Sequence, residues 1–320
     1  MTNGEKLFLI LAEELSFGRA AKRCFLSQQC FSDHIKRLEE YYGTTLFTRR
    51  PSIELTAAGR AVQRTLMIVS NLEQGLASEL SEIENGASGT LRIGINYTRA
   101  KLLIPPFFQW CRFKYPNVKI ELTLEETVTM QVLLEKGKLD CFLGINAVTS
   151  PMMQTMTMAY ENIYLMASSE FLRNYLKIEP RNLINRRSEA DLQKFRGVPF
   201  AMNYGKSTTF KLLNQYMADN NITVNNVLSV SDYDVSEKIC RSGYAASFCP
   251  QIFIPTILKG NRTCEKEEYI YALPVKGLNR PLRFDLILNE SIHYPRFAFD
   301  CFGSIRKIVR DYLAETDAVC

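Results

Sequence analysis

One long helical run divides this chain and limits what can stand on either side of it. From Ala57 to about Asn85, Val62, Leu66, Val69, Leu76, Leu80 and Ile83 recur at steps of 4, 3, 7, 4 and 3 residues, the spacing of a heptad seam. Thr56 stands where an N-cap is expected, and Gly86-Ala87-Ser88-Gly89 breaks the run. A helix of roughly 28 residues spans about 42 Å at 1.5 Å per residue. One so long, between domains, is expected to pair with a second copy of itself. The domain boundary is placed at the glycines.

The sixty residues before it read as short helices. Leu7, Ile10, Leu11 and Leu15 fall at helical spacing. Ser16 precedes a second helix in which Ala20-Ala21 is small enough for close approach. Ser27 precedes a third, Gln28 to about Tyr42, stopped by Gly43 as a C′ glycine stops a helix. Phe31, Ile35 and Leu38 share one face of it, the core face. Gln28, Gln29, Ser32, Asp33 and Lys36 face the other way. Two helices, a tight turn and a polar outer face make a helix-turn-helix, and a short face rich in donors and acceptors is what a major-groove reader needs. The extended pieces on either side of Arg50-Pro51-Ser52 predict a small hairpin wing carrying Arg49 and Arg50, suited to phosphate or the minor groove. These sixty residues hold nine basic and seven acidic side chains, a net of +2. Affinity for DNA must then come from placement and from several linked copies rather than bulk charge.

Beyond the glycines, strand and helix signals alternate. Strands are expected at Leu91–Ile95, Val118–Leu124, Cys141–Ile145, Pro199–Asn203, Asn226–Val230 and Tyr244–Phe248. Helices are expected at Lys101–Lys114, Thr129–Lys136, Thr208–Asn220 and Val235–Ser242, with a final one from Arg296 to about Leu313. Such alternation argues for α/β units with parallel strands. Two sets of them suggest two similar lobes with a ligand in the crevice at the carboxyl ends of the strands.

Composition excludes other classes. The 320 residues are 46% hydrophobic and 23% charged, with a net charge of +5, which is ordinary globular composition. No stretch approaches the roughly 18 apolar residues of a membrane helix, and Leu7–Ala12 is too short for a signal-peptide core. A cytoplasmic location without membrane contact is therefore expected. Nine cysteines at irregular spacing include no C-x-x-C pair, as in a reducing compartment. Cys111 and Cys141 fall on core elements, and Cys264 and Cys320 are expected at the surface. With two histidines, His34 and His293, no metal set and no Ser-His-Asp set assembles, and no cofactor is implied. Gly205-Lys206-Ser207 is not a phosphate-binding loop, because Phe200 stands where that motif needs glycine.

The chain resembles the LysR-type transcriptional regulators along its whole length. The resemblance is carried by Ser16-Phe17, Ala20-Ala21, Ser27-Gln28, Ser32, Ile35, Leu38-Glu39, Gly43, Leu46-Phe47, Arg49, Leu55-Thr56 and Ala58-Gly59. Looser matches follow at Leu91–Gly94, Tyr115-Pro116-Asn117-Val118, Gly137-Lys138-Leu139-Asp140, Gly243 and Pro250. The fold it implies is mixed. Residues 1–60 form an all-α winged helix-turn-helix, 61–88 a linker and dimerisation helix, and 89–320 an α/β two-lobed effector domain like the periplasmic binding proteins. It implies promoter DNA, a small-molecule effector and a homodimer or homotetramer as partners, with RNA polymerase a further candidate. By position, DNA contacts fall to Gln28, Gln29, Ser32, Asp33, Lys36, Arg49 and Arg50.

Effector contacts fall to Tyr97 and Thr98 in the first strand-to-helix loop, to Asn146 after the Asp140 strand, and to Ser207 and Thr208 at a helix start. Asn96, Arg99, Ile145, Lys206 and Thr209 flank them. Helix N-termini and hydroxyls at these places favour an anionic effector. The readings that compete with a regulator are a small-molecule-binding protein and an enzyme on a similar fold. The first leaves the first 85 residues without a role, and the second lacks a convergent base, nucleophile or metal set.

Overall fold

The computed structural model describes residues 1–85, 87–148, 150, 153–180, 189–204 and 207–317. Two compact units result: Met1–Gly89 with Asn289–Arg296, and Thr90–Leu288 with Phe297–Cys320.

The first unit begins with α1 (Asn3–Glu14), α2 (Phe17–Arg23) and α3 (Gln28–Tyr42). Each starts where a side chain satisfies free N–H groups. Thr2 and Glu5 form a capping box on α1, Ser16 Oγ accepts from Arg19 N–H on α2, and Ser27 Oγ accepts from Cys30 N–H on α3. Gly43, at φ 65°, ends α3. Strands β1 (Phe47–Thr48) and β2 (Glu54–Leu55) pair antiparallel as the wing, and α4 (Ala57–Asn85) follows. Phe8, Leu11, Ala20, Phe31, Ile35 and Leu46 are wholly buried in one core.

The expected heptad seam on α4 does not form one continuous face. Leu66 is buried in the helix-turn-helix core and Val62 packs against that core, because the start of α4 lies against α1. Leu72, Leu76 and Leu80 are about half exposed and form the open stripe. The side chain of Ile83 lies outside the described residues.

The second unit holds two mixed sheets. Its elements are β3 (Ser88–Ile95), α5 (Tyr97–Lys114), β4 (Asn117–Leu124), α6 (Thr127–Glu135), β5 (Cys141–Ile145), β6 (Met153–Glu161), β7 (Ile163–Ser168) and α7 (Ser169–Phe171). They continue as β8 (Pro199–Met202), α8 (Thr208–Asp219), β9 (Asn225–Ser229), α9 (Tyr233–Arg241), β10 (Ala246–Pro250), α10 (Ile254–Asn261), β11 (Ile270–Pro274), β12 (Leu282–Asn289) and α11 (Arg296–Asp317). One sheet has the order β4-β3-β5-β12-β6 and the other β11-β7-β10-β8-β9. The chain crosses between lobes at Asn162 and returns between β11 and β12.

The parallel expectation holds only in part. The pairs β3·β5, β8·β10 and β8·β9, whose strands are linked through helices, are parallel. β12 runs antiparallel to β5, and β7 antiparallel to β10 and β11. A strand that enters from the other lobe needs no helical crossover and so is free to run the other way.

Helix α5 starts four residues before the expected Lys101, because Asn96 Oδ1 accepts from Arg99 N–H and nucleates the turn. Pro105 and Pro106 therefore lie inside the helix. Both are exposed, so water can reach the carbonyls whose donors they remove. Asp232 likewise starts α9 at Tyr233, where the sequence reading had Val235.

Candidate DNA-reading surface and effector cavity

On α3, Gln28, Gln29, Asp33 and Lys36 are exposed and Ser32 is half-buried, while Phe31, Ile35 and Leu38 are buried. Lys36 lies 3.8 Å from Glu40, one turn on, and among the described residues Asp33 forms no ion pair. Exposed Cys30 belongs to the same surface and was not singled out by the sequence reading.

The wing is tied to α3 through Glu39. Its Oε1 accepts from Leu46 N–H at 2.7 Å and Phe47 N–H at 3.2 Å, and its Oε2 lies 3.5 Å from Arg49 Nη2. The Arg49 guanidinium also stands 5.5 Å from the centre of the Phe17 ring. Both arginines are exposed, Arg49 as a cation positioned by Glu39 and Phe17 and Arg50 with no ion pair among the described residues. Thr56 carries the wing into α4. Its hydroxyl donates to Thr45 O at 2.9 Å and accepts from Gly59 N–H at 2.9 Å.

The second unit holds a partly open cavity of about 60 Å³. Tyr97, Thr98, Ser207 and Thr208 line it, together with Asn96, Arg99, Glu126, Thr127, Ile145, Asn203, Thr209, Ser231 and Tyr233. The first turns of α5, α6, α8 and α9 meet there. Each brings the positive end of a helix dipole, and the starts of α5, α6 and α8 add N–H groups suited to one anionic group, while at α9 the Asp232 carboxyl already accepts from Asp234 and Val235 N–H. Ser207 caps α8, its Oγ 3.5 Å from Phe210 N–H, which leaves its hydroxyl proton available.

The structure does not bring Asn146 to this cavity. Its Oδ1 accepts from Arg283 N–H at 2.8 Å, so the side chain is engaged in joining two strand ends. Lys206 lies outside the described residues. The sequence reading left Glu126, Asn203, Ser231 and Tyr233 without a role. Tyr233 is a core residue hydrogen-bonded to Thr209 and Asn203, and burial raises its phenol pKa above the usual value.

Arg99 is the charged centre of the cavity wall. Its Nη2 donates to both oxygens of Glu161, at 2.9 and 3.0 Å, and the two side chains are 3% and 0% exposed. The guanidinium also sits 4.8 Å from the Phe284 ring centre, a cation–π geometry. At the rim, Lys101 of α5 joins Asp232 and Asp234 at the start of α9 and lies 4.2 Å from the Tyr97 ring centre. Among the described residues no group of His, Cys, Asp and Glu is placed to hold a metal, and no helix is long and apolar enough to cross a membrane. Cys111 and Cys141 are buried; Cys264 is half-buried rather than fully at the surface, and Cys320 lies outside the described residues.

Residues 5–60 match the family described as "Bacterial regulatory helix-turn-helix protein, lysR family". Residues 84–265 match the "LysR substrate binding domain". The chain belongs to the LysR family. Its relatives include the HTH-type transcriptional regulator AlsR of Bacillus subtilis, 38% identical over 136 residues, which are 42% of this chain and 44% of AlsR. XapR of Escherichia coli is 34% identical over 170 residues, 52% of this chain and 56% of XapR. The chain thus spans about half the length of these relatives in the matched stretches. A probable RuBisCO transcriptional regulator of Synechocystis is 22% identical over 98% of this chain and 87% of its own length. All three are described as transcriptional regulators.

Among solved structures, ArgP from Mycobacterium tuberculosis aligns at TM-score 0.69 and 14% identity, covering 96% of each chain. A full-length OxyR variant from Pseudomonas aeruginosa aligns at 0.65 and 19%, covering 96% of this chain and 95% of that one. Full-length CbnR complexed with its target DNA aligns at 0.55 and 18%, covering 98% and 100%. These likenesses establish the fold: a helix-turn-helix unit and a two-lobed effector domain.

Proposed function

We propose that this chain is a sequence-specific DNA-binding regulator, controlled by a small anionic effector held between its two α/β lobes and acting as a homodimer or homotetramer. The observation that carries the reading is the split of α3 into a buried face of Phe31, Ile35 and Leu38 and an open polar face. In it, Gln28, Gln29, Ser32, Asp33 and Lys36 read base edges, while Arg49 and Arg50 meet the backbone or minor groove. Tyr97, Thr98, Ser207 and Thr208 contact the effector, whose negative group takes the free donors at the starts of α5, α6 and α8. The half-exposed Leu72, Leu76 and Leu80 of α4 supply the surface on which two copies pair.

An effector acts only by binding one lobe arrangement more tightly than another, which alters the spacing of the paired DNA-reading heads. The test is selection of preferred duplexes from a random-sequence pool by the full-length protein. Enrichment of a site is expected, with Gln28→Ala and Ser32→Ala losing preference at defined base pairs. A pool without enrichment, or variants that select the same site with the parent's affinity, would overturn the reading.

A further inference from the structure

The effector cavity holds donors in excess and one acceptor that the protein leaves unused. The starts of α5, α6 and α8 bring N–H groups to it, and Thr98, Thr127 and Thr208 add hydroxyls. Arg99 is 3% exposed, yet its buried Nε–H has no hydrogen-bond partner among the described residues. These donors call for an anionic group.

Glu126 lines the same cavity. It is the residue that precedes α6, yet its side chain makes no capping hydrogen bond. Among the described residues no hydrogen bond or ion pair engages its carboxyl group. Glu126 is itself exposed; partial desolvation in the cavity raises its pKa, the Arg99 charge opposes that shift and Glu125 adds to it. The Arg99 charge itself is matched by Glu161, so among the described residues no cation of the cavity wall remains to balance Glu126. A plain carboxylate in this space would gain the helix N–H groups but bring a second negative charge close to Glu126, which repels it at short range.

A ligand with an ammonium beside its anionic group satisfies both poles. We infer that the effector is a small zwitterion of the amino-acid class, its anionic group on the helix starts and its ammonium on Glu126, which makes Glu126 the specificity-determining residue of the cavity. The inference rests on the effector reading above and adds to it the class of effector.

The test uses the full-length protein at neutral pH. The standard amino acids are screened by thermal shift and calorimetry, each beside its 2-hydroxy and its deaminated counterpart, on the parent, Glu126→Gln and Thr98→Val. One amino acid is expected to bind saturably, with its deaminated counterpart about tenfold or more weaker. Glu126→Gln should weaken the amino acid by about tenfold and leave the deaminated acid equal or tighter. Because Glu126 does not cap α6, this variant should melt with the parent when no ligand is present.

A hydroxy or deaminated acid as the tightest binder would overturn the inference. So would an amino acid whose affinity is indifferent to Glu126→Gln, or the failure of every amino acid to bind. If a plain acid binds and alters DNA binding, and Thr98→Val removes that response, the regulator reading stands while the zwitterion is discarded. Absence of any selected duplex removes the regulator reading itself.

Discussion

Arg99 and Glu161 join the first turn of α5 to the last residue of β6, the residue before the chain crosses from one lobe to the other. Nη2 of Arg99 reaches both carboxylate oxygens, at 2.9 and 3.0 Å, with both side chains out of water. Sixty-two positions separate them in the sequence. The pair therefore links the wall of the effector cavity to the crossing segment, and any ligand that pulls on Arg99 also acts on that crossing.

A buried ion pair is costly to break from one side, because the remaining charge has neither water nor partner. Glu161→Gln or Arg99→Met alone should lower unfolding stability by about 3–5 kcal/mol. The double change Arg99→Met with Glu161→Leu should recover most of that loss, since an apolar pair of similar volume needs no solvation. Urea unfolding of the four proteins decides the matter. Additive losses in the double variant would show that the two side chains do not act as a pair.

Gly59 sits where α4 passes the strand that leads into the wing. A Cβ there would lie 2.0 Å from the Leu46 carbonyl oxygen and 3.0 Å from a Leu55 methyl carbon. Backbone cannot yield as a side chain can, so Gly59→Ala should cost about 3 kcal/mol, the upper end of ordinary overpacking. It would displace the Thr56 cap, and with it the wing. The loss should appear in the unfolding of the helix-turn-helix unit and in DNA affinity, and not in ligand-induced stabilisation of the effector lobes. Calorimetry with and without effector separates the two.

The elements that were legible in the sequence share a physical reason. Local signals fixed them: Ser16, Ser27 and Thr56 as caps, Gly43 as a stop, and Phe31, Ile35 and Leu38 at helical steps. Cys141–Ile145 was readable as a strand because every residue of it is apolar or glycine and all are buried. What escaped was set by distant partners. Strands β7 and β12 pair antiparallel with residues far along the chain; β7 is buried on both faces and carries no period to read, and β12 buries Asp285 and Asn289, which do not mark a core strand by themselves. Arg99 gave no sign in the sequence of its partner Glu161, sixty-two positions on. Glu126 gave no signal at all, since a carboxylate before a helix is ordinary and only the cavity makes it a pole of a site. Asn146 shows the opposite error: its place after a strand end suggested a ligand, whereas a backbone N–H from β12 takes its side chain.

Base readers and phosphate contacts should separate by salt. Gln28→Ala removes a side chain from the exposed start of α3, so it should cost about 1–3 kcal/mol on the preferred site and little on unrelated duplexes. Exposed Arg50 makes no described ion pair, so Arg50→Ala should weaken all duplexes alike and reduce the slope of log affinity against log salt by about one counterion per copy. Fluorescence anisotropy on both duplexes across a salt series measures each effect. An Arg50→Ala protein with the parent's slope would remove the wing from the contact surface.

Lys101 bridges α5 and α9 at the cavity rim, and its contribution has a pH window fixed by both partners. Burial disfavours its charge, but the hydrogen bond to Asp234 and the Asp234 and Asp232 carboxylates outweigh that and raise its pKa above the ordinary 10.5. Burial likewise pushes the Asp232 carboxyl upward, but the Val235 and Asp234 N–H groups and the Lys101 charge win and bring it below the ordinary 3.8. A raised base stabilises the fold fully below its unfolded pKa and loses the effect as pH rises through the folded value. A depressed acid does so above its unfolded pKa and loses the effect as pH falls through the folded one. The stability gap between the parent and Lys101→Met should therefore be flat from near 3.8 to near 10.5. It should shrink outside both limits. Both groups are partly solvated, so the gap should also narrow in high salt. Since Lys101 lies against the Tyr97 ring and joins the starts of two helices that line the cavity, Lys101→Met should weaken effector binding as well. Thermal melts across the pH range, paired with calorimetric titration at neutral pH, test both statements. A gap that peaks within the flat range would mean that a different titrating group governs the rim.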